Sequence, residues 1–160
     1  MKKIIIFMAI TFLQFFYSGN SYASTAQEAI QFFNKYSNYA NTYSEELLNM
    51  YSPDVKIIRE VVKPAGDTES VVIPTQRFFK ELKIGQKTAK LRRYKNQYRN
   101  ITVKEVPNGI KISAERQPSR ETYWLKMYQI LQPTDKGFVI KEEMMQTKVQ
   151  AFLRHKNKGK

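Results

Sequence analysis

Two ionisable residues stand among apolar neighbours in stretches that alternate like β-strands. Arg59 shares its parity with the apolar residues at 55, 57 and 61, and Glu142 shares its parity with those at 138, 140 and 144. Residues two apart point to the same face of a strand, so both side chains are predicted to face an interior cavity. An inward carboxylate there would have a raised pKa and could act as a general base. Pairing with an inward arginine, or exposure on an open face, is the competing interpretation.

Aromatic side chains form a second group of pocket candidates. Tyr39, Tyr43 and Tyr51 fall on the early helical segments, whereas Trp124 and Tyr128 fall on a late strand. Their rings could line a pocket for an apolar or aromatic molecule, although ordinary core packing produces the same spacing. The complete set of predicted pocket residues is Tyr39, Tyr43, Tyr51, Arg59, Trp124, Tyr128 and Glu142.

The most basic stretch of the chain, KTAKLRRYKNQYR, interleaves cations with Tyr94 and Tyr98. Such a mixture would suit single-stranded nucleic acid in the cytoplasm. For an exported chain we expect instead an anionic membrane surface, an acidic cell-wall polymer or a partner protein, with a merely solvated strand as the alternative. The predicted anionic-partner patch consists of Lys87, Lys90, Arg92, Arg93, Lys95 and Arg99.

Several classes of chemistry lack the residues that they need. The sequence contains no cysteine and one histidine, His155, which lies beyond the last predicted strand. Disulfides, thiolate metal sites and a cysteine nucleophile are therefore excluded, and a histidine-based mechanism has no candidate. No cluster of His, Asp and Glu has the spacing of metal ligands. We therefore expect neither a metal nor any other cofactor.

The N-terminus has the three parts of a secretory signal. Two lysines give a basic start, an apolar run covers 4–16, and Ser21-Tyr22-Ala23 is a small-x-small cleavage site. The run is shorter than the ~20 residues of a membrane-spanning helix, which favours cleavage after Ala23 over a retained anchor. The sequence thus predicts a signal peptide over 1–23 and a mature protein that is periplasmic or secreted.

Lysine and arginine outnumber acidic residues by 27 to 14, which gives a formal net charge of +13. The resulting field would attract anionic lipids, polymers or proteins, although a basic surface also serves solubility alone. Export argues against nucleic acid as the partner.

The elements that must position these residues begin with helices. A capping-box spacing at Thr25 and Glu28 starts the first helix, and Ser44 is the N-cap of a short second one that Pro53 ends. Gly85 sits where the C-terminal cap of a third helix would be. The predicted helices cover 25–41, 44–52 and 74–85.

Strand patterns dominate the second half of the chain. The predicted strands cover 55–62, 69–73, a stretch through 101 and 103, 110–114, 122–131 and 138–147. Asn108-Gly109 predicts a hairpin, and the helices are the only cover for the sheet. The expected fold is α+β, with three N-terminal helices packed in a strongly curved, mainly antiparallel sheet, a cone or α+β barrel. This single domain would span 24–147, followed by a basic, frayed tail over 148–160.

Two stretches resemble one known family. SEELLNMYSPDVKI resembles the corner between the second helix and the first strand of the cone-fold superfamily named after nuclear transport factor two, also called SnoaL-like. The closing stretch YWLKMYQILQPTDKGFVIKEEMMQT resembles the final hairpin of that superfamily. The resemblance covers most of 26–147 and implies a cone cavity, with dimerisation across the open sheet face in many members. It implies no single activity, because this fold hosts isomerases, dehydratases, carriers and structural domains.

The sequence therefore predicts an exported, non-enzymatic binding protein. It would hold a small hydrophobic or lipid-like ligand in the cone cavity and an anionic partner on the basic segment. One alternative is a structural component of an envelope machine such as a secretion system, held by a retained N-terminal anchor. The other is an isomerase- or dehydratase-like enzyme that uses Glu142 or a tyrosine as its acid–base group. A homodimer is compatible with each of these.

Overall fold

The computed structural model of the protein describes residues 17–158, and the side chains of residues 25–154. The basic start and the apolar run of the predicted signal peptide lie outside the described residues. None of the helices within 17–158 is both long and apolar enough to cross a membrane. In chain order the elements are α1 (Tyr17–Thr42), α2 (Glu46–Asn49), β1 (Tyr51–Val62), β2 (Thr68–Ile73), α3 (Thr75–Arg92), β3 (Asn96–Val106), β4 (Gly109–Pro118), β5 (Leu125–Thr134), β6 (Gly137–Thr147) and a C-terminal 3₁₀ helix (Gln150–Lys158).

The six strands form one mixed sheet in the order β2-β1-β6-β5-β4-β3. Every neighbouring pair is antiparallel except β1 and β6, which run parallel. The predicted α+β class is therefore confirmed, but β2 and β3 remain as two edges and the sheet does not close into a barrel. The parallel pair places the first strand of the chain against the last, as the second and third strands of the sheet.

Three helices occur in the predicted order, but the second, predicted over 44–52, covers only Glu46–Asn49, so Tyr51 lies on β1 and not on a helix. The helices are also not all N-terminal, because α3 lies between β2 and β3. Helix α1 is already present at Tyr17, the first described residue, and not only from Thr25 onward, so it includes the predicted cleavage site at Ala23. Helix α3 runs past Gly85 because the Lys-, Ala- and Leu-rich turns that follow have high helix propensity. Its left-handed cap is Arg93 (φ 50°), whose N–H bonds to the Lys90 carbonyl at 3.2 Å.

The core lies between the helices and one face of the sheet. Phe33 and Tyr36 of α1, Leu47 of α2 and Phe78 of α3 are buried against it. Strand pairing aligns the inward residues in cross-strand rows. The rows are Tyr51-Ile140-Leu131-Ile110, then Ile57-Glu143-Gln129-Ile112, then Arg59-Met145-Met127-Ala114.

Two connections refine the sequence predictions. The β3–β4 hairpin forms as predicted, but its turn is Pro107-Asn108, and Gly109 already pairs with Val106. The tail, predicted to be frayed, contains the 3₁₀ helix, in which Phe152 and Leu153 pack against the core.

Replacing Gly109 should be strongly destabilising. Its φ is +132°, and an added Cβ would lie 2.1 Å from the Leu131 carbonyl oxygen, a backbone atom of the neighbouring strand. We expect Gly109→Ala to lower the free energy of unfolding by about 3 kcal/mol or more. The matched control is Gly137→Ala, where φ is +108° and no atom lies within 4 Å of the added Cβ, so only about 1 kcal/mol should be lost. Urea titration followed by the single tryptophan, Trp124, measures both; equal losses would contradict the steric argument.

Candidate functional site

A β-bulge in β6 decides which acidic residue faces the interior. Ile130 pairs with Glu142 and Leu131 pairs with Ile140, so Lys141 is an extra residue in this ladder. An extra residue reverses the inward–outward alternation beyond it. The parity prediction for Glu142 therefore fails: Glu142 lies on the outer face, and its neighbour Glu143 points inward with no exposed surface.

The Glu143 carboxylate is the centre of a buried polar cluster. Its Oε2 accepts hydrogen bonds from the Tyr51 hydroxyl at 2.7 Å, the Tyr36 hydroxyl at 3.2 Å and Gln129 Nε2 at 3.2 Å. Its Oε1 accepts one from Arg59 Nη1 at 3.1 Å. We call these five residues the Glu143 cluster. The predicted inward carboxylate and its arginine partner are both present, but the carboxylate belongs to Glu143.

Arg59 holds the outer end of this cluster. Its side chain is 14% exposed, whereas that of Glu143 is 0% exposed, so the ion pair is almost dry. The guanidinium also lies 5.9 Å from the centre of the Phe78 ring and donates to the Ile58 carbonyl at 3.2 Å. Removing either member of this ion pair should destabilise the protein strongly, because the charge that stays buried keeps its desolvation penalty without the partner that compensated it.

The two tyrosines of the cluster are held in their protonated form. Burial raises the pKa of Tyr51 and of Tyr36 well above the ordinary value, and the negative charge of Glu143 raises both further. Burial likewise raises the pKa of Tyr98, whose ring stacks edge-on against Phe33. Each hydroxyl is therefore a hydrogen-bond donor at neutral pH rather than a base.

Glu142 and Tyr128, both predicted pocket residues, meet on the outer face of the sheet. The Tyr128 hydroxyl donates to Glu142 at 2.6 Å, and Lys56 forms an ion pair with Glu142 at 3.0 Å. Partial burial alone would raise the pKa of Glu142, but these contacts outweigh it and lower the pKa. Lys111 lies 4.1 Å above the Tyr128 ring. These two residues therefore do not line the cone interior.

The remaining predicted pocket residues are scattered. Tyr39 is half-buried on α1 under Lys35, and Tyr43 follows the helix with a buried hydroxyl that has no hydrogen-bond partner in the described structure. Trp124 precedes β5 instead of lying on it, and its ring stacks with Arg99 at 4.1 Å. Of the seven, only Tyr51 and Arg59 reach the Glu143 cluster.

The predicted anionic-partner patch divides into two parts. Lys87, Lys90 and Arg92 are exposed on the second half of α3, and Arg93 and Lys95 follow in the connection to β3. Arg99 stands apart from them on β3, where it forms an ion pair with Glu115 at 2.7 Å. Five of the six cations thus remain together.

A shallow groove runs beside the corner where α2 enters β1. It has a volume of about 710 Å³ and reaches the exposed side of α3. We call it the corner groove, and it is lined by Leu48, Asn49, Tyr51, Pro53, Phe79, Lys80 and Lys83. Its walls are mainly apolar with two ammonium groups at one side, so its chemistry suits a molecule with an apolar body and a negative head.

A second groove of about 630 Å³ lies on the opposite face of the sheet. Its lining mixes Ile130 and Pro133 with Lys141 and Glu142 near the β3–β4 turn. Lys141 also pairs with the exposed Asp54, and this contact, followed by a hydrogen bond from Ser52, lowers the pKa of Asp54 to about 2. Lys141 and Glu142 are thus each paired with a residue outside the groove lining, Asp54 and Lys56 respectively.

Sequence reasoning missed Tyr36, Gln129 and Glu143. Gln129 shares its parity with Leu125, Met127 and Leu131, so its burial could have been inferred from alternation alone. Glu143 could not, because the bulge at Lys141 leaves no clear mark in the sequence. Within the described residues, no group of three or more His, Asp and Glu side chains could hold a metal ion.

Comparisons with known proteins identify the fold and little else. No family model matches the chain, and a search of curated proteins finds no match. Many solved structures are similar. One is a candidate dehydratase of the NTF2-like family from Streptomyces avermitilis, with a TM-score of 0.60 and 6% identity over 78% of this chain and 96% of that one.

Two further structures have the same architecture. An NTF2-like protein of unknown function from Pseudomonas putida KT2440 has a TM-score of 0.58 and 6% identity over 78% of this chain and 87% of that one. A candidate scytalone dehydratase from Novosphingobium aromaticivorans has a TM-score of 0.54 and 14% identity over 79% and 86% of the two chains. The chain therefore has the NTF2-like cone fold, as the sequence resemblance implied. Sequence identities this low show a shared fold and do not show that the activity of these proteins is shared by this chain.

Neutralising Glu143 should destabilise the protein far more than neutralising the adjacent acid. Glu143→Gln leaves the Arg59 charge buried against a neutral amide, and we expect a loss of about 3 kcal/mol in the free energy of unfolding. The matched control, Glu142→Gln, breaks an ion pair whose lysine is 55% exposed and should cost less than about 1 kcal/mol. Replacing Arg59 and Glu143 together by methionine should not recover this loss, because Tyr36, Tyr51 and Gln129 would lose their buried acceptor. Equal effects of the two single variants in urea titrations would refute the placement of Glu143.

Stability should fall when the pH rises above the ordinary tyrosine pKa. Unfolded tyrosines ionise near pH 10.0, whereas folded Tyr36 and Tyr51 keep their protons because their pKa values are raised. The unfolded state then loses protons first, so stability that is complete below pH 10.0 is lost above it. Urea titrations followed by circular dichroism at increasing pH should give a shallower decline for Tyr36→Phe/Tyr51→Phe than for the wild type. Identical slopes would exclude these two tyrosines as the cause.

Proposed function

We propose, taking the NTF2-like fold as the starting point, that this chain is an exported, non-enzymatic binding protein for small amphiphiles with an anionic head. The observation that carries the proposal is the lining of the corner groove. Leu48, Pro53 and Phe79 offer apolar surface, and Lys80 and Lys83 offer two positive charges beside it. This combination supports a lipid-like ligand, although in a surface groove rather than in a central cavity.

The placement of the groove favours binding without catalysis. Tyr51 is one of the residues that line the groove, while its hydroxyl donates inward to Glu143 at 2.7 Å. A ligand in the groove would therefore contact an aromatic surface whose polar end already has a partner. The lysines reach the groove from α3, where they are exposed and free to adapt to a head group.

An enzyme of the dehydratase or isomerase kind is the second candidate. Two structural neighbours described as candidate dehydratases favour it, together with the carboxylate and two hydroxyl groups of the Glu143 cluster. Against it, both Glu143 oxygens already accept hydrogen bonds from the protein, so a substrate would have to displace one of these donors. Any such reaction would depend on Glu143 and not on Glu142.

The proposal includes export of the chain, with the N-terminal segment either cleaved or retained as an anchor. A cleaved signal over 1–23 would release the protein as a carrier, whereas a retained N-terminal segment would favour a scaffold in an envelope machine. Expression in a secreting bacterium followed by intact mass measurement separates the two. A mass that corresponds to a chain beginning at Ser24 supports the carrier, and an unprocessed mass supports the scaffold.

Binding of dodecanoate should depend on both sides of the corner groove. Isothermal titration below the micellar concentration should give weaker binding for Lys80→Gln/Lys83→Gln, by about thirtyfold, because each of the two ammonium groups contributes on the order of 1 kcal/mol near a carboxylate. Leu48→Gln should weaken binding similarly by placing an amide against the alkyl chain.

The matched control for charge is Lys104→Gln/Lys136→Gln, which removes two exposed lysines on β3 and in the β5–β6 turn. This variant should bind dodecanoate like the wild type. No binding by the wild type, or an equal loss in the control, would reject the groove as the ligand site. Loss of binding in Glu143→Gln with unchanged binding in the groove variants would move the site into the cone interior.

A further inference from the structure

Helix α3 exposes two large aliphatic side chains where a solvated helix would carry polar ones. The side chains of Ile84 and Leu91 are 59% and 86% exposed. They are seven residues apart, so they lie on the same side of the helix, about 10 Å from each other along its axis. Phe78 and Leu82, which pack into the core, lie on the opposite side. The aliphatic pair therefore forms the outermost ridge of α3.

The ridge is embedded in positive charge. Between Thr75 and Lys95 the chain contains eight lysines and arginines and one acidic residue. That residue, Glu81, forms an ion pair with Arg77 at 2.5 Å on the first two turns, which leaves the second half of the helix without an acidic residue. The exposed cations around the ridge are Lys80, Lys83, Lys87, Lys90, Arg92, Arg93 and Lys95.

The end of the helix concentrates this charge around Leu91. Arg93 adopts a left-handed conformation, and the Tyr94 N–H bonds to the Ala89 carbonyl at 2.9 Å, so the chain turns sharply just beyond Leu91. Arg120, from the β4–β5 connection, donates to the Arg92 carbonyl at 3.5 Å and adds another cation from outside the helix. The most exposed aliphatic residue is thus surrounded by guanidinium and ammonium groups from two segments.

We propose that this outward face of α3, which we call the α3 ridge, docks onto an anionic lipid bilayer. Aliphatic side chains along the centre of a helix face with lysines on its flanks are the composition of helices that lie in the membrane interface. The aliphatic pair would enter the acyl boundary while the long basic side chains reach the phosphate groups.

A lipid bilayer would bind both the exposed aliphatic side chains and the cations of the ridge, whereas each of the other anionic partners would bind only the cations or would need a special shape. A soluble polyanion such as a cell-wall polymer would engage the lysines but give Ile84 and Leu91 no apolar environment. An acidic protein would need a preformed groove to receive a convex ridge that is anchored to its own core on the other side. A fluid lipid surface deforms around such a ridge without prior complementarity.

The docking surface and the corner groove lie on one helix and have Lys80 and Lys83 in common. Lys80 and Lys83 line the groove, and the ridge continues from Ile84 to the end of α3. A docked molecule would hold the groove close to the lipid surface, which places the binding site where amphiphiles are concentrated. The docking proposal goes beyond ligand binding and stands if the groove proves empty.

Vesicle flotation with the purified full chain tests the proposal, after intact mass has established that all variants share one N-terminus. We expect the wild type to float with vesicles of equal parts phosphatidylglycerol and phosphatidylcholine and not with phosphatidylcholine alone. Ile84→Gln/Leu91→Gln should reduce flotation at least fivefold, and Lys87→Gln/Lys90→Gln about tenfold or more. Glutamine keeps the helix propensity of these positions high, so circular dichroism and melting temperature should change little.

Two control variants make the same kinds of substitution, aliphatic to polar and lysine to glutamine, at positions away from α3. Val72→Thr/Ile101→Thr removes exposed aliphatic surface from β2 and β3, where these residues are 58% and 36% exposed. Lys104→Gln/Lys136→Gln removes two exposed lysines elsewhere. Both controls should float like the wild type. Leu48→Gln should lose dodecanoate binding and keep flotation, which separates failure of the groove from failure of the ridge.

Three results would overturn the docking proposal. The first is equal flotation with and without phosphatidylglycerol. The second is unchanged flotation of Ile84→Gln/Leu91→Gln together with tight binding of polyphosphate, which would identify a surface for soluble polyanions. The third is an equal loss of flotation in the control variants, which would reduce the effect to net charge.

Discussion

The buried carboxylate of Glu143 is the constraint on which the interior of this protein depends. It ties α1, β1, β5 and β6 together through Tyr36, Tyr51, Arg59 and Gln129, at distances between 2.7 and 3.2 Å. Aliphatic packing tolerates small shifts between elements, whereas a dry carboxylate needs its donors in place. The cluster therefore favours one register between the first strand, the last strand and the first helix. Because its oxygens already accept hydrogen bonds from the protein, the carboxylate at the centre of the cone stabilises the fold.

The sequence allowed the elements to be predicted better than the site. Local signals were sufficient for the hairpin at Asn108, because the Asn-Gly pair restricts the backbone directly. They placed the end of the second helix too late, since α2 ends at Asn49 and Pro53 already belongs to β1. The predicted helix end at Gly85 was wrong. One glycine lowers helix stability by too little to end the helix when the turns that follow are rich in strong helix formers. The prediction that Glu142 faces the interior was wrong because of an interaction between two strands that are not local in sequence. One inserted residue, Lys141, exchanges the two faces of β6, and its presence depends on pairing with β5.

The chain distributes its positive charge unevenly, so that one side of the molecule is more basic than the rest. On the outer face of the sheet and on β3, cations are matched by acids, as in Lys56–Glu142 and Arg99–Glu115. On the second half of α3 no acid accompanies them. Eight cations and one acid between Thr75 and Lys95 therefore give this segment about half of the net charge of +13, next to the groove that combines apolar surface with two lysines. A partner that is negative and partly apolar meets complementary chemistry on that side of the molecule.

The open sheet leaves two edges that differ in how they are shielded. Along β2, the C-terminal 3₁₀ helix packs beside the strand, and the Gln150 amide donates to the Val62 carbonyl at 2.9 Å. Along β3, the pairing with β4 breaks between Arg99 and Thr102, where Asn100 has a φ of 53°. Such interruptions and covers prevent a second chain from adding its own strand to the sheet. The 3₁₀ helix over Gln150–Lys158 thus covers part of one sheet edge, even though it stands outside the predicted domain.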